Sequence, residues 1–173
     1  MADTTPSELD ITALLTENQR RARLFGRKKL LLVVSATHCP GCETLADQLG
    51  RREIREVLHK ETYLVKIEAG DLYEAVAGSL RVGDWTLSLP GFPITWTWEV
   101  KEDGLVFHAL GIGPLEEAAP LSGINDLLAG RSVWVPEAEG ARVLVCRKDF
   151  CATLTAENGF SYAFDLNFPA TRE

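Results

Sequence analysis

The chain has 173 residues, 46% of them hydrophobic, which is enough to bury a core without help from disulfide bonds. Its 25 acidic and 18 basic residues give a net charge of −7, which argues against sequence-independent binding to nucleic acid. No secretory signal and no apolar run long enough to span a membrane are visible. We therefore expect a soluble, cytoplasmic protein, and the oligomeric state stays open.

The N-terminal part of the chain predicts a helix followed by a buried strand. Residues 5–8 have the pattern of a helix start, with Thr5 as the N-cap and Glu8 placed to close a capping box. Apolar residues then recur at helical spacing until Gly26, which can end the helix. Residues 30–36 begin with an unbroken apolar run over 30–34, as expected for a central strand covered on both faces.

Helices and strands alternate further along the chain. Two short helices are predicted after residue 39, the first of them ending near Gly50. Residues 62–68 are predicted to form the second strand, and Asp71 to cap a helix that runs to about Leu80. This order of elements indicates an α/β protein.

From residue 94 onward the pattern changes to alternating apolar and polar residues, which is typical of a half-buried strand. Asp103-Gly104 then offers a hairpin turn into a strand over residues 105–110, and a closing helix follows Pro120. We therefore expect a central mixed sheet with helices on both faces.

The last part of the chain predicts a small β meander. Val-rich or aromatic segments are separated by turns, and they lie at 133–135, 141–146, 152–155 and 160–164. We therefore divide the chain into an α/β domain of residues 1–130 and a β-rich C-terminal extension of residues 131–173, packed on or beside it.

Cys39-Pro40-Gly41-Cys42 lies between the apolar strand and a predicted helix. Two thiols separated by two residues at such a junction indicate reversible disulfide chemistry. The N–H groups and the positive dipole end of a helix N-terminus stabilise a thiolate, which is the species that attacks a disulfide.

About residues 6–130 resemble the thioredoxin superfamily. Three features carry the resemblance: the apolar strand leading into Cys39-Pro40-Gly41-Cys42, the segment Gly91-Phe92-Pro93-Ile94-Thr95, and the Asp103-Gly104 hairpin followed by Gly111. The second is similar to the cis-proline loop of that family. The resemblance implies a thioredoxin-like fold and thiol-disulfide exchange with protein substrates. It also implies a partner that reduces the cysteine pair, and it implies neither a cofactor nor a metal.

The resemblance also implies three substrate-binding residues. In the family a cis-proline lies beside the cysteine pair, and the backbone of the preceding residue pairs with the substrate chain. Phe92 and Pro93 take these positions here, although a buried aromatic is the alternative for Phe92. His38 directly precedes the pair; it either raises the reactivity of the thiol or is an incidental surface residue.

The sequence departs from the thioredoxin pattern in two places. The order between the cysteines is Pro-Gly rather than Gly-Pro, and Pro40 has no N–H to offer the sulfur of Cys39. Where thioredoxins carry a buried carboxylate that helps deprotonate the second cysteine, this chain has Val33. Lys66 matches a lysine that the family often keeps nearby, but its acid partner is missing.

We expect the catalytic residues to be Cys39 and Cys42. Cys39, exposed at the helix start, attacks a substrate disulfide, and Cys42 displaces the reduced product. A non-catalytic thioredoxin-fold module that binds a protein partner is one alternative. Another is a zinc site that uses all four cysteines, Cys39, Cys42, Cys146 and Cys151.

Cys146 and Cys151 have four residues between them, a spacing that suits a hairpin with the two side chains opposite each other. They are predicted to be either a second redox pair or small buried residues. Trp96 and Trp98 share one strand face and are predicted to lie in the core. His59 and His108 lack ligand spacing and are predicted to be structural.

Overall fold

The computed structural model describes residues 8–68, 78–88, 91, 93–138, 140–148 and 150–156, and the backbone of 167–169. In these residues the chain forms four α-helices and eleven β-strands arranged in two mixed sheets, so the predicted α/β class is confirmed. The helices are α1 (Thr12–Leu24), α2 (Pro40–Leu49), α3 (Arg52–Glu61) and α4 (Pro120–Leu128).

The larger sheet has six strands and carries most of the predicted elements. Its strands are β2 (Lys29–Ser35), β3 (Thr62–Glu68), β6 (Ile94–Lys101), β7 (Gly104–Ile112), β8 (Val133–Trp134) and β11 (Asn167–Pro169). The order is β11-β7-β6-β2-β3, and β8 pairs alongside β7. Strands β2 and β3 are parallel, whereas β6 is antiparallel to both β2 and β7.

Strand β2 is covered on both faces, as its continuous apolar run predicts. Leu31 and Val33 pack in a cluster with residues of α2, α3 and α4. Leu30 and Leu32, which alternate with them, pack in the other cluster, with residues of the α1 segment and of the second sheet. The strand is therefore a fixed base for the loop that follows it.

The second sheet has five strands and was not predicted. It consists of β1 (Glu8–Asp10), β4 (Ser79–Val82), β5 (Trp85–Ser88), β9 (Val143–Arg147) and β10 (Phe150–Leu154). Their order along the sheet is β1-β4-β5-β9-β10. The expectation of one central sheet is therefore wrong, because three distant segments of the chain pair with one another. Strands β9 and β10, from the predicted extension, join this sheet through β5.

The N-terminal helix begins later than predicted. Residues 8–10 pair in parallel with β4, Leu9 opposite Leu80, so Glu8 lies in a strand and closes no capping box. Helix α1 starts at Thr12, whose N–H donates to the carboxylate of Asp10 at 2.9 Å. Hydrogen bonds from Thr12 lower the pKa of Asp10.

The helix predicted from Asp71 to Leu80 is wrong at its C-terminal end, because Leu80 lies in β4. Asp71 itself lies outside the described residues, as does the predicted segment 160–164. The predicted hairpin is confirmed, but Gly104 pairs with Lys101, so the two loop residues are Glu102 and Asp103. No helix in the described parts of the chain is long and apolar enough to cross a membrane.

Candidate active site

The first cysteine pair lies at the N-terminus of α2. Cys39 is the N-cap residue, with extended backbone, and Pro40 occupies the first helical position. The backbone N–H of Cys42 donates to the Cys39 sulfur at 3.1 Å, so the side chain of Cys39 caps the helix. A disulfide joins Cys39 to Cys42, and their Cα atoms are 5.2 Å apart.

A short loop carries the chain from β2 to this helix. It includes His38, which has a positive φ of 57°, a conformation that is uncommon for residues other than glycine. Thr37, His38 and Pro40 are exposed, so the backbone on both sides of Cys39 runs along the surface. His38 is thus placed beside the cysteine pair, as its sequence position requires.

The sulfur atoms themselves are less accessible than predicted. Cys39 is 3% exposed and Cys42 7%, and the two pack with Ala36 in a small apolar cluster. The expectation that Cys39 is exposed at the helix start is therefore wrong. Its side chain turns inward to cap the helix, whereas its neighbours face solvent.

Pro93 lies at the same edge of the sheet as the cysteine loop. It directly precedes β6, whose first residue, Ile94, is paired with Val34 near the end of β2. Pro93 is buried, and its carbonyl accepts the N–H of Gly113 at 2.9 Å. Phe92 and the peptide bond between Phe92 and Pro93 lie outside the described residues, so both the substrate-groove role and the cis bond stay predictions.

An apolar side chain, Val33, occupies the position at which thioredoxins carry a buried carboxylate. Val33 is 3% exposed and packs in the cluster that includes Leu45 of α2. Lys66 is opposite Val33 in the β2–β3 register, and its side chain is exposed. These two residues therefore supply no buried proton acceptor for Cys42.

A buried glutamine that the sequence analysis did not identify holds the other end of α2. Gln48 is fully buried and exchanges two hydrogen bonds of 2.8 Å with the backbone of Leu115. It also donates to Glu117 at 3.1 Å. Gln48 follows Leu45 by three residues and precedes Leu49, so its place on the apolar face of the helix was a signal of its burial.

The Gln48 contact continues into an exposed ion pair. Arg51 lies 2.6 Å from Glu117 and lowers the pKa of that carboxyl group. Together the two contacts attach the last turn of α2, through Gln48, and the start of α3, through Arg51, to the segment between β7 and α4. The helix that carries Cys39 is thus fixed at its C-terminal end.

The second cysteine pair bridges two neighbouring strands. Cys146 of β9 and Cys151 of β10 are directly opposite each other and form a disulfide with a Cα separation of 4.1 Å. The predicted hairpin with opposed side chains is therefore confirmed. Cys146 is half-buried and Cys151 is exposed, so the interpretation of the two as small buried residues is wrong.

Among the residues that the structure describes, side chains that bind metals are not assembled into a site. Within the described part of the chain, no three His, Cys, Asp or Glu side chains are grouped so that they could hold one metal ion. The four cysteines are instead paired in two disulfides, so the four-thiolate arrangement is not formed in this structure.

Trp96, Trp98 and His108 take structural positions, whereas His59 lies at the surface. Trp96 and Trp98 are 1% and 0% exposed, which confirms that they lie in the core. His108 is half-buried, and its Nε2 lies 3.1 Å from the carbonyl of Leu128 at the end of α4. His59 is exposed on α3.

No family model matches the sequence, and no curated protein is significantly similar to it. The functional conclusion therefore depends on the two cysteine pairs and their surroundings.

Proposed function

We propose that the protein is a thiol-disulfide oxidoreductase with a thioredoxin-like core, in which Cys39 and Cys42 exchange electrons with protein disulfides. One observation carries the proposal: the sulfur of Cys39 caps α2 and accepts the N–H of Cys42 at 3.1 Å. In the reduced protein the same N–H and the positive end of the helix dipole stabilise a thiolate on Cys39. A thiolate is the nucleophile in disulfide exchange.

The strand arrangement supports a thioredoxin-like core. The pair follows β2, which has a parallel neighbour on one side and the antiparallel β6–β7 hairpin on the other. Pro93 directly precedes β6, a position consistent with the resemblance to the thioredoxin superfamily. Helices α2, α3 and α4 pack on one face of this sheet, and the α1 segment contributes to the cluster on the other.

The exchange has two steps. The Cys39 thiolate attacks one sulfur of a substrate disulfide, a mixed disulfide forms, and the other substrate sulfur leaves as a thiolate. The Cys42 thiolate then attacks the sulfur of Cys39, which releases the second substrate thiolate and leaves the Cys39–Cys42 disulfide. The two substrate thiolates take up the two protons that the cysteines lose, and a dithiol partner restores the pair.

Burial of Cys39 adds a requirement to this mechanism. A substrate sulfur cannot reach a side chain that is 3% exposed without a movement that uncovers it. The neighbours Thr37, His38 and Pro40 are already at the surface, so a local displacement of this loop is the movement that we propose. We expect substrate binding to accompany that displacement.

Turnover on a generic protein disulfide tests the proposal. Reduction of insulin by a small dithiol is measured with the wild-type protein, with Cys39→Ser and with the double variant Cys146→Ser/Cys151→Ser. Cys39→Ser is expected to lose the acceleration, because the attacking thiol at the N-cap is gone and Cys42 alone cannot complete the two-step exchange, whereas the double variant keeps it. Wild-type turnover by Cys39→Ser would contradict the proposal.

A second candidate function follows from the same burial. A thioredoxin-fold module that binds a protein partner without catalysis would keep its cysteines covered, and it would need no proton acceptor at Val33. If the protein is such a module, dithiols will reduce the Cys39–Cys42 bond, but the protein will not accelerate the reduction of insulin. The insulin experiment therefore separates the two candidates.

A further inference from the structure

The Cys146–Cys151 disulfide lies on the outer face of the five-stranded sheet. Val143 and Val145 of β9 are fully buried, whereas Leu144 between them is 46% exposed. Because side chains alternate along a strand, Cys146 shares the outward face with Leu144. Cys151 is opposite Cys146 in the register and shares that face.

Access to the four sulfurs is unequal. Cys151 is exposed and Cys146 half-buried, whereas both cysteines of the first pair are buried. Disulfide exchange requires a thiolate to approach one sulfur along the direction of the S–S bond, so accessible disulfides react first. The position of Cys151 also makes its sulfur the preferred point of attack within the second pair.

We propose that Cys146–Cys151 is a second thiol-exchange site, whose substrates are small-molecule thiols or protein dithiols. A substrate thiolate attacks Cys151, the S–S bond breaks, and the sulfur of Cys146 leaves as a thiolate. A second substrate thiolate then attacks the mixed disulfide and releases Cys151. The substrate is oxidised to a disulfide, and the cysteine pair gains two electrons and two protons.

The other face of the same hairpin provides an internal reporter. Arg147 lies over the ring of Trp85 at 4.9 Å, and Phe150 meets that ring edge-on at 6.4 Å. These residues adjoin Cys146 and Cys151 in sequence. Opening the disulfide is therefore expected to change the fluorescence of Trp85.

The decisive experiment follows the order of reduction in the wild-type protein. The oxidised protein is treated with graded dithiothreitol, quenched with an alkylating reagent and mapped by peptide mass spectrometry. Labels at Cys146 and Cys151 are expected to appear at least about tenfold faster than labels at Cys39 and Cys42, because reaction requires access. Equal rates, or earlier labelling of the first pair, would overturn the proposal.

Two further treatments show whether the substrate is a small-molecule thiol or a protein dithiol. Reduced glutathione and a small protein with a reduced Cys-x-x-Cys pair replace dithiothreitol in the same measurement. Reduction by glutathione identifies small thiols as substrates, and reduction by the protein alone identifies protein dithiols. Resistance of the second pair to both overturns the proposal. The fluorescence of the wild-type protein is followed alongside the labels, and the change is expected to be lost in a Trp85→Phe variant if Trp85 is its source.

Matched single variants test which sulfur is attacked. In Cys146→Ser the remaining thiol is the exposed Cys151, and in Cys151→Ser it is the half-buried Cys146. Oxidised glutathione is expected to form an adduct about tenfold faster with the first variant than with the second. Faster reaction at Cys146 would contradict the assignment. If either variant fails to fold, the wild-type labelling order still decides whether the site exists.

This inference does not depend on the proposed activity of the first pair. A Cys39→Ser/Cys42→Ser variant retains only the second disulfide, and its reduction and reoxidation can be followed alone. Insulin turnover tests the first pair, whereas the labelling order tests the second, so failure of one leaves the other standing.

Discussion

The two cysteine pairs of this protein reach disulfide geometry by different routes. Cys39 and Cys42 are brought together by one turn of a helix and are buried, in a cluster with Ala36. Cys146 and Cys151 are brought together by the register of two strands and face outward. Local geometry therefore determines that each pair can bond, whereas the surrounding elements determine which pair a reagent can reach.

The pairs share one backbone feature. Each is accompanied by a residue other than glycine with positive φ, His38 at 57° before Cys39 and Lys148 at 49° after Cys146. In the described parts of the chain, these are the two residues other than glycine that have a positive φ. In both cases the chain reverses sharply beside a cysteine, and a side chain occupies a conformation that glycine adopts more easily.

The largest contrast is expected from packing around the two pairs. Leu45→Ala on α2 removes a fully buried side chain and is expected to lower the free energy of unfolding by about 2–5 kcal/mol. Leu144→Ala, next to the second pair, changes an exposed side chain and is expected to cost less than about 0.5 kcal/mol. Urea denaturation of both variants measures this difference, and similar costs would show that the second pair is not on an outer surface.

The next largest effect is expected at Gln48. Gln48→Ala leaves the N–H and carbonyl of Leu115 without their partner, and it is expected to destabilise the protein by about 1–3 kcal/mol. Hydrogen exchange should increase in α2 while the β9–β10 hairpin keeps its protection. Arg51→Gln is the matched control, because it removes only the exposed contact to Glu117. A loss confined to the hairpin would contradict the assigned contact.

Glycine substitutions beside each pair test their shared feature. His38→Gly and Lys148→Gly each remove the strain of a positive φ, an effect of about 1–2 kcal/mol in favour of the folded state, against which the greater flexibility of glycine in the unfolded chain costs about 0.4–1 kcal/mol. Alanine at the same positions is the control and should bring no gain, because it also disfavours positive φ. Thermal denaturation measures all four variants.

The smallest effect is expected for the ion pair beside α2. Arg51 lowers the pKa of Glu117 below its ordinary value of 4.5, so the pair stabilises the folded protein above that pH. This contribution is lost as the pH falls through the lowered pKa. In Arg51→Gln the pKa of Glu117 should rise toward 4.5, as measured by NMR titration. The stability difference from wild type is small, since both side chains are partly exposed, and should vanish in acid.

Sequence patterns predicted the elements whose signals are local. The continuous apolar run of β2, the helix that starts at Pro40 and the alternation in β6 each indicated the right element. The spacing of Cys146 and Cys151 indicated a hairpin, because four residues between opposed positions fit a tight turn.

Elements that form through distant partners could not be predicted in the same way. Strand β1 has three residues, and its partner β4 lies about seventy positions further along the chain. At residues 5–8 a capping pattern indicated a helix, but pairing with β4 prevails at Glu8. Burial of Cys39 was missed for a related reason, since it depends on how the surrounding elements pack rather than on its neighbours in sequence.

The composition of the five-stranded sheet has a consequence for the order in which the protein folds during synthesis. Strands β1 and β4 emerge from the ribosome early, but the sheet is complete only after β10, near residue 154, has been made. Before that, Leu87 of β5 lacks its partner Val145 of β9. Pairing between such distant segments is slow, so one edge of β5 stays unpaired in the nascent chain until β9 has been made.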